Sequence, residues 1–243
     1  MNEDRSMNVL MISPGFPAEM PYFTRGLDLV GARVIGLGDQ PTSALPEMTR
    51  HHLAHYHQVA SWADERAVIA EVVNLSRKIR IDRVECLWET QMIMAARLRE
   101  TLGLPGMTVA ETIPFRDKEE MKKVLDAHGI RTPRHANATT ALEVYAAAER
   151  IGFPLIVKPI AGAGSMDTYR IGNAAELEAV IPKLGHVPEV SVEEFVEGQD
   201  CTFDTVCAGG QVLYHNICFY RPRALESRNH EWVSPQTIAV REP

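Results

Sequence analysis

Lys158 closes an apolar run, Leu155-Ile156-Val157, and is followed by the small-residue stretch Ala161-Gly162-Ala163-Gly164-Ser165. Aliphatic and β-branched residues favour a buried strand, so the lysine is carried on a rigid support and presents its ammonium as a compact positive charge. Gly162 and Gly164 let the backbone approach an anion and turn N–H groups toward it, with Ser165 in the same loop. This is chemistry for the phosphates of ATP. Taken alone, the stretch also reads as an ordinary strand ending in a Gly-rich hairpin, because short glycine motifs recur by chance.

Two further groups of residues stand in order around it. Asp117-Lys118 opens a helical stretch that leads through Gly129-Ile130-Arg131-Thr132-Pro133 toward the lysine strand, and the run Val192-Glu193-Glu194-Phe195-Val196-Glu197-Gly198-Gln199-Asp200 follows the loop. This succession resembles the ATP-grasp superfamily of ATP-dependent carboxylate ligases, from about Asn8 to at least Asp204. The resemblance implies that Lys118 and Lys158 contact ATP phosphates and that the loop from Ala161 to Ser165, including Gly162, Gly164 and Ser165, is a lid over them. It implies that either Glu193 or Glu194 accepts from the exocyclic amine of adenine, with backbone groups near Phe195 and Val196 reading the rest of the base edge. Asp200 stands where the family carries a Glu for the ribose hydroxyls, and Ile156, Phe195 and Val196 would sandwich the ring. A charged edge strand is the plain alternative for Glu193, Glu194 and Glu197.

The reaction so implied is phosphoryl transfer from ATP to a substrate carboxylate, giving an acylphosphate that an amine or similar nucleophile attacks, with catalysis by positioning and charge neutralisation. Small-molecule carboxylate and amine substrates are the expected partners, with Mg²⁺ as the accompanying cation. The family's acidic Mg²⁺ ligands and their Glu-x-Asn pattern have no counterpart after Asp204, where Glu226, Glu231 and Glu242 are the acids. The metal ligands are therefore expected outside this chain, and the chain is expected to be an N-terminal portion of a longer ligase or a natural truncation. Arg221, Arg223 and Arg228 are candidates for a phosphate or a substrate carboxylate, or are simply solvated. A non-catalytic nucleotide-binding module is the competing reading.

The elements that must position these groups follow from periodicity. Val9 to Ile12 and Ala32 to Leu37 read as strands, with a helix over Tyr22 to Val30 between them, a helix over Asp64 to Lys78, a strand over Val84 to Trp88 and a helix over Gln91 to Leu102 stopped by Gly103. The fold class is α/β: residues 1–112 form an open, mostly parallel Rossmann-like sheet domain, 113–196 an ATP-grasp α+β lid lobe, and 197–243 the start of a second α+β lobe. In the middle segment a helix runs from Arg116 to Gly129, another from Ala141 to Ile151, and strands over Thr168 to Ile171 and Glu189 to Val196 enclose a helix over Ala174 to Leu184. Cys201 to Val206 and Gln211 to Tyr220 form a hairpin around Ala208-Gly209-Gly210. The turn after the first strand, Ser13-Pro14-Gly15-Phe16-Pro17, lacks the GxGxxG spacing of a dinucleotide site, which argues against an NAD-dependent oxidoreductase.

Composition narrows the field further. The 243 residues are 45% hydrophobic with a formal net charge of -7, enough for sizeable cores and without the basic stripe that nucleic acid requires. No run is long enough to span a bilayer, and the N-terminus fits neither a signal nor a transit peptide. The four cysteines, Cys86, Cys201, Cys207 and Cys218, form no CxxC pair, which points to reduced thiols in a cytoplasmic protein. A homodimer is left open. His51 and His55 have the spacing of a helical metal pair, but no Glu or Cys accompanies His51, His52, His55 and His57 in the manner of an HExxH motif, and they read as a solvated connecting segment.

Overall fold

A computed structural model describes residues 6–160, 167–223, 226–227, 232–234 and 236–241. The chain divides into two compact units, Met1–Val124 and Leu125–Pro243. No described helix is long and apolar enough to cross a membrane.

The first unit runs β1 (Asn8–Ile12), α1 (Met20–Leu29), β2 (Arg33–Gly38), α2 (Glu47–His51), β3 (His55–Gln58), α3 (Glu65–Ser76), β4 (Arg83–Glu85), α4 (Met92–Leu102) and α5 (Val109–Thr112). Its four strands are all parallel, in the order β3-β2-β1-β4. Every residue of β1 is buried, as a central parallel strand covered on both faces must be. Leu10 and Ile12 join Ile35, Leu37, Val68, Val72 and Leu98 in the larger core, while Met11 packs with Met20 and Val34 on the opposite face. This alternation of β1 side chains between two helical layers fixes its register, because a one-residue slip would exchange the two cores. Asp64 caps α3 by accepting from the Ala67 N–H at 3.0 Å, and Gly103 ends α4 at φ 64°, the left-handed conformation that glycine adopts without strain.

The segment read from sequence as a solvated connection around the histidines is α2 followed by β3, the outer parallel strand. Its composition, His-Tyr-His-Gln, hides it. The strand expected over Val84 to Trp88 is also shorter, ending at Glu85, and Trp88 is the extended cap of a 3₁₀ turn at Glu89–Gln91.

The boundary between units falls within α6 (Lys118–Ala127), whose start is capped by Asp117 Oδ1, which accepts from the N–H groups of Glu119 and Glu120. The second unit continues with β5 (His135–Ala138), α7 (Ala141–Ile151), β6 (Leu155–Pro159), β7 (Tyr169–Ile171), α8 (Ala174–Val180), β8 (Val190–Glu194), β9 (Cys201–Ala208), β10 (Gln211–Arg221) and β11 (Gln236–Ala239). β5-β8-β6-β7 form the second sheet of the chain, which is antiparallel, and β11-β10-β9 form the third, also antiparallel. The helix read over Ala174 to Leu184 ends its α-helical part at Val180 and tightens into a 3₁₀ turn at Ile181–Leu184, where Pro182 has no N–H to continue the ladder.

α7 shows why the local sequence takes this form. Thr140 and Glu143 make a reciprocal capping box, and Val144, Ala147, Ala148 and Ile151 recur at helical spacing on the buried face. They cover Leu155, Val157, Ile171, Val190 and Val192 of the sheet. Complete burial of a side chain such as Leu155 stabilises by about 1.5–3 kcal/mol.

Candidate active site: the reverse face of the second sheet

In β8, Val190 and Val192 enter the core under α7 and α8, so Ser191 and Glu193 must point to the opposite face of the sheet. In β6 the same parity sends Leu155 and Val157 into the core and leaves Ile156 and Lys158 on that opposite face. The antiparallel register pairs Ile156 with Glu193 and Lys158 with Ser191. Lys158 and Glu193 are thus diagonal neighbours on one face, and Lys158 Nζ lies 2.7 Å from Glu193 Oε2.

The other carboxylate oxygen of Glu193, Oε1, accepts from Ser191 Oγ at 3.0 Å. Glu193 is 8% exposed and Lys158 26% exposed at the side chain. A charge-assisted contact of this kind holds both side chains in fixed rotamers, and the lysine keeps donors for an additional anion.

Glu194, the other acid left open by the sequence, has a different environment. Its Oε1 accepts from Arg131 Nη2 at 3.0 Å, and its Oε2 from the Arg134 backbone N–H at 3.1 Å and Arg134 Nε at 3.4 Å. The Arg134 N–H, helped by the charges of Arg131 and Arg134, holds this carboxyl below the ordinary carboxylate pKa. Glu194 therefore ties the stretch between α6 and β5 to the end of β8.

Beyond the strand, the Phe195 N–H donates to Pro154 O at 3.1 Å. Arg170 of β7 lies over the Phe195 ring at 4.5 Å and approaches Glu197 at 4.0 Å. Among the described residues the N–H and C=O of Val196 have no hydrogen-bond partner, and its side chain is 47% exposed. Asp200 precedes β9, where its backbone carbonyl accepts from Tyr220 N–H at 3.2 Å. Lys118 is the half-buried first residue of α6. Gly162, Gly164 and Ser165 lie outside the described residues, as does Arg228, while Arg223 donates through Nη2 to the Gly198 carbonyl.

The structure brings Lys158, Glu193 and Ser191 together and groups Phe195, Arg170 and Glu197 beside them in sequence register. Ser191 was not singled out from sequence, although the alternation Val190-Ser191-Val192-Glu193 carries its signal. Arg170 has no such signal, because its contact with Phe195 exists only after β7 pairs with β6. Among the described residues no group of three or more His, Cys, Asp or Glu side chains is disposed to hold a metal ion. His52 Nδ1 lies 2.6 Å from Asp28 Oδ2, and His57 Nε2 lies 2.9 Å from Glu71 Oε2.

Residues 29–106 match the ATP-grasp N-terminal domain and residues 115–223 the ATP-grasp domain. The chain belongs to the ATP-grasp superfamily. It is 21% identical over 221 residues to the L-arginine-specific L-amino acid ligase of Bacillus subtilis, covering 88% of this chain and 53% of that protein. It is 34% identical over 119 residues to the D-alanine–D-alanine ligase of Stutzerimonas stutzeri strain A1501, covering 48% of this chain and 37% of the relative. The fold also matches the crystal structure of N5-carboxyaminoimidazole synthetase from Staphylococcus aureus complexed with ADP, with a TM-score of 0.72, 18% identity, and coverage of 91% of this chain and 57% of that one. This ATP-grasp chain spans about a third to a half of the length of the curated relatives it matches.

Proposed function

We propose that this chain binds ATP on the reverse face of the β5-β8-β6-β7 sheet and belongs to a ligase that activates a substrate carboxylate for attack by an amine. The single observation that carries the reading is the Lys158–Glu193 pair, backed by Ser191 and lying within the matched ATP-grasp domain. Lys158, with Lys118, neutralises phosphate oxygens. Glu193 holds the Lys158 ammonium and accepts from the exocyclic amine of adenine, while Glu194 serves the Arg131 and Arg134 contacts instead. The N–H and C=O of Val196 read the base edge, Ile156 and Phe195 flank the ring, and Asp200 accepts from the ribose hydroxyls. The lid role assigned by the family resemblance to residues 161–165 brings Gly162, Gly164 and Ser165 into the proposal as phosphate contacts.

In the reaction, a carboxylate oxygen of the substrate attacks the γ-phosphorus and ADP departs. The amine then attacks the acyl carbon, its proton is lost, and inorganic phosphate leaves. Lysine charges stabilise the phosphoryl oxygens throughout, so positioning and electrostatics supply the catalysis. Mg²⁺ would supply further charge neutralisation at the phosphates. We assign the chain to an N-terminal α/β domain (1–112), a lid lobe (113–196) and the start of a last lobe (197–243).

The test separates the two acids. Affinity for a non-hydrolysable ATP analogue, measured by calorimetry, falls about tenfold in Glu193→Gln, as expected for loss of a hydrogen-bonded charge, and changes less than twofold in Glu194→Gln. Equal losses in both variants overturn the assignment.

A further inference from the structure

At the carboxyl ends of β1 and β2 the first unit carries a cleft of about 180 Å³ whose walls include Phe16, Leu45, Tyr56 and Trp88. The strand order reverses direction of growth at β1, between β2 and β4, so this is the position where an open α/β sheet leaves a crevice for a ligand. The crevice is firmly built. Thr24 and Thr49, both buried, donate their hydroxyls to the Pro14 carbonyl and fix the loop after β1. Phe16 meets Trp88 edge to face, with centroids 5.4 Å apart and ring planes at 88°, which makes a two-walled aromatic corner.

The floor depends on glycine. Tyr56 lies across β2, where a Cβ on Gly38 would come within 2.5 Å of its hydroxyl and a Cβ on Gly36 within 2.9 Å of its ring. The two glycines alternate with buried Leu37, so both bare faces of backbone lie under the tyrosine. Its hydroxyl donates to the Gln40 carbonyl at 2.7 Å.

Asp39 is the charged residue lining the cleft, and among the described residues its carboxylate has no hydrogen-bond or ion-pair partner. A lone negative charge beside aromatic walls selects a cation with an apolar body, because the carboxylate pairs with the charge while the rings take the hydrocarbon and attract the cation to their faces. An anionic ligand of the same shape is repelled. We propose that this cleft is a recognition site for a primary ammonium compound bearing an aromatic or branched apolar group, held by Asp39 and packed against Phe16 and Trp88. In a ligase this would be an amino-bearing substrate, so the meaning of the site rests on the reading above, while the recognition itself needs no nucleotide.

The test uses the full 243-residue chain and two probes of matched shape, phenethylammonium and 3-phenylpropionate, titrated by ligand-observed NMR without nucleotide. Phenethylammonium is expected to saturate and to lose about tenfold in affinity in Asp39→Asn, whereas 3-phenylpropionate shows no saturable binding. Asp39→Ser serves if the asparagine variant does not fold, with the unchanged far-UV circular dichroism as the criterion. Equal binding of the two probes, no binding of either, or full affinity in the Asp39 variant overturns the proposal. An ATP analogue titrated in parallel keeps the two readings apart: its binding fails with the nucleotide assignment, and phenethylammonium binding fails with this one.

Discussion

Removing Glu193 should expose how the reverse face of the second sheet is held together. In Glu193→Ala, Lys158 loses an acceptor 2.7 Å away and Ser191 loses one 3.0 Å away. Breaking a buried ion pair from one side costs about 3–5 kcal/mol, because the remaining charge stays desolvated. Lys158 is 26% exposed, so water recovers part of that cost, and we expect about 2–3 kcal/mol. Glu193→Gln keeps an acceptor for Ser191 and the shape of the side chain, and should lose about 1–2 kcal/mol. The double variant Lys158→Met/Glu193→Leu removes both charges together and should lie within about 1 kcal/mol of the parent, since apolar replacement of a buried pair is often neutral. Urea denaturation followed by circular dichroism measures all three, with an unchanged slope as the sign that stability alone has moved. In thermal scans the Glu193→Ala loss corresponds to roughly 5–10 °C for a chain of this size. A Glu193→Ala variant within about 0.5 kcal/mol of the parent would refute the coupling, as would a double variant as unstable as the sum of Lys158→Met and Glu193→Leu, each measured singly in the same way.

Three further outcomes follow from the geometry. Gly38→Ala should destabilise the first unit by about 1–3 kcal/mol through the clash with Tyr56, and Tyr56→Phe in the same chain should recover part of the loss, as urea midpoints will show. The Glu194 carboxyl is held below its ordinary value of 4.5, so the native state keeps it ionised further into acid than the unfolded chain does. Its stabilisation is complete above about pH 4.5 and is lost as pH falls through the native pKa, so Glu194→Gln should flatten the acid limb of a stability–pH curve and leave the neutral region parallel to the parent. Burial pushes the Cys86 thiol up to about 11, whereas Cys201 and Cys207 are exposed; at pH 8 an aromatic disulfide reagent should label the latter two promptly and Cys86 only slowly.

Much of this arrangement could be read from residues alone where local and global signals agree. The helix over Ala141 to Ile151 has its capping box, its apolar spacing and the glycine after it, and it forms with those limits. The hairpin around Gly209 and Gly210 likewise follows from two residues that accept positive φ, here 57° and 74°. β3 was not legible, because a four-residue outer strand of His, Tyr, His and Gln draws its stability from pairing with β2 and carries no apolar pattern of its own. The identity of the acid facing Lys158 was encoded more plainly than it was read. Val190 and Val192 fix the parity of β8, and parity sends Glu193 to the lysine's face and Glu194 away from it. The Tyr56 floor and the Phe16–Trp88 corner depend on neighbouring strand ends, which the order β3-β2-β1-β4 assembles from segments far apart in sequence.

The central claim is that Lys158 on β6 faces the phosphates of ATP. Calorimetric titration of this 243-residue chain with a non-hydrolysable ATP analogue, with and without Mg²⁺ and beside NAD, tests it most directly when repeated on Lys158→Ala. The account predicts saturable binding of the ATP analogue, none of NAD, and a loss of tenfold or more in the folded alanine variant. An ATP analogue that does not bind, or that binds Lys158→Ala as tightly as the parent, would contradict it.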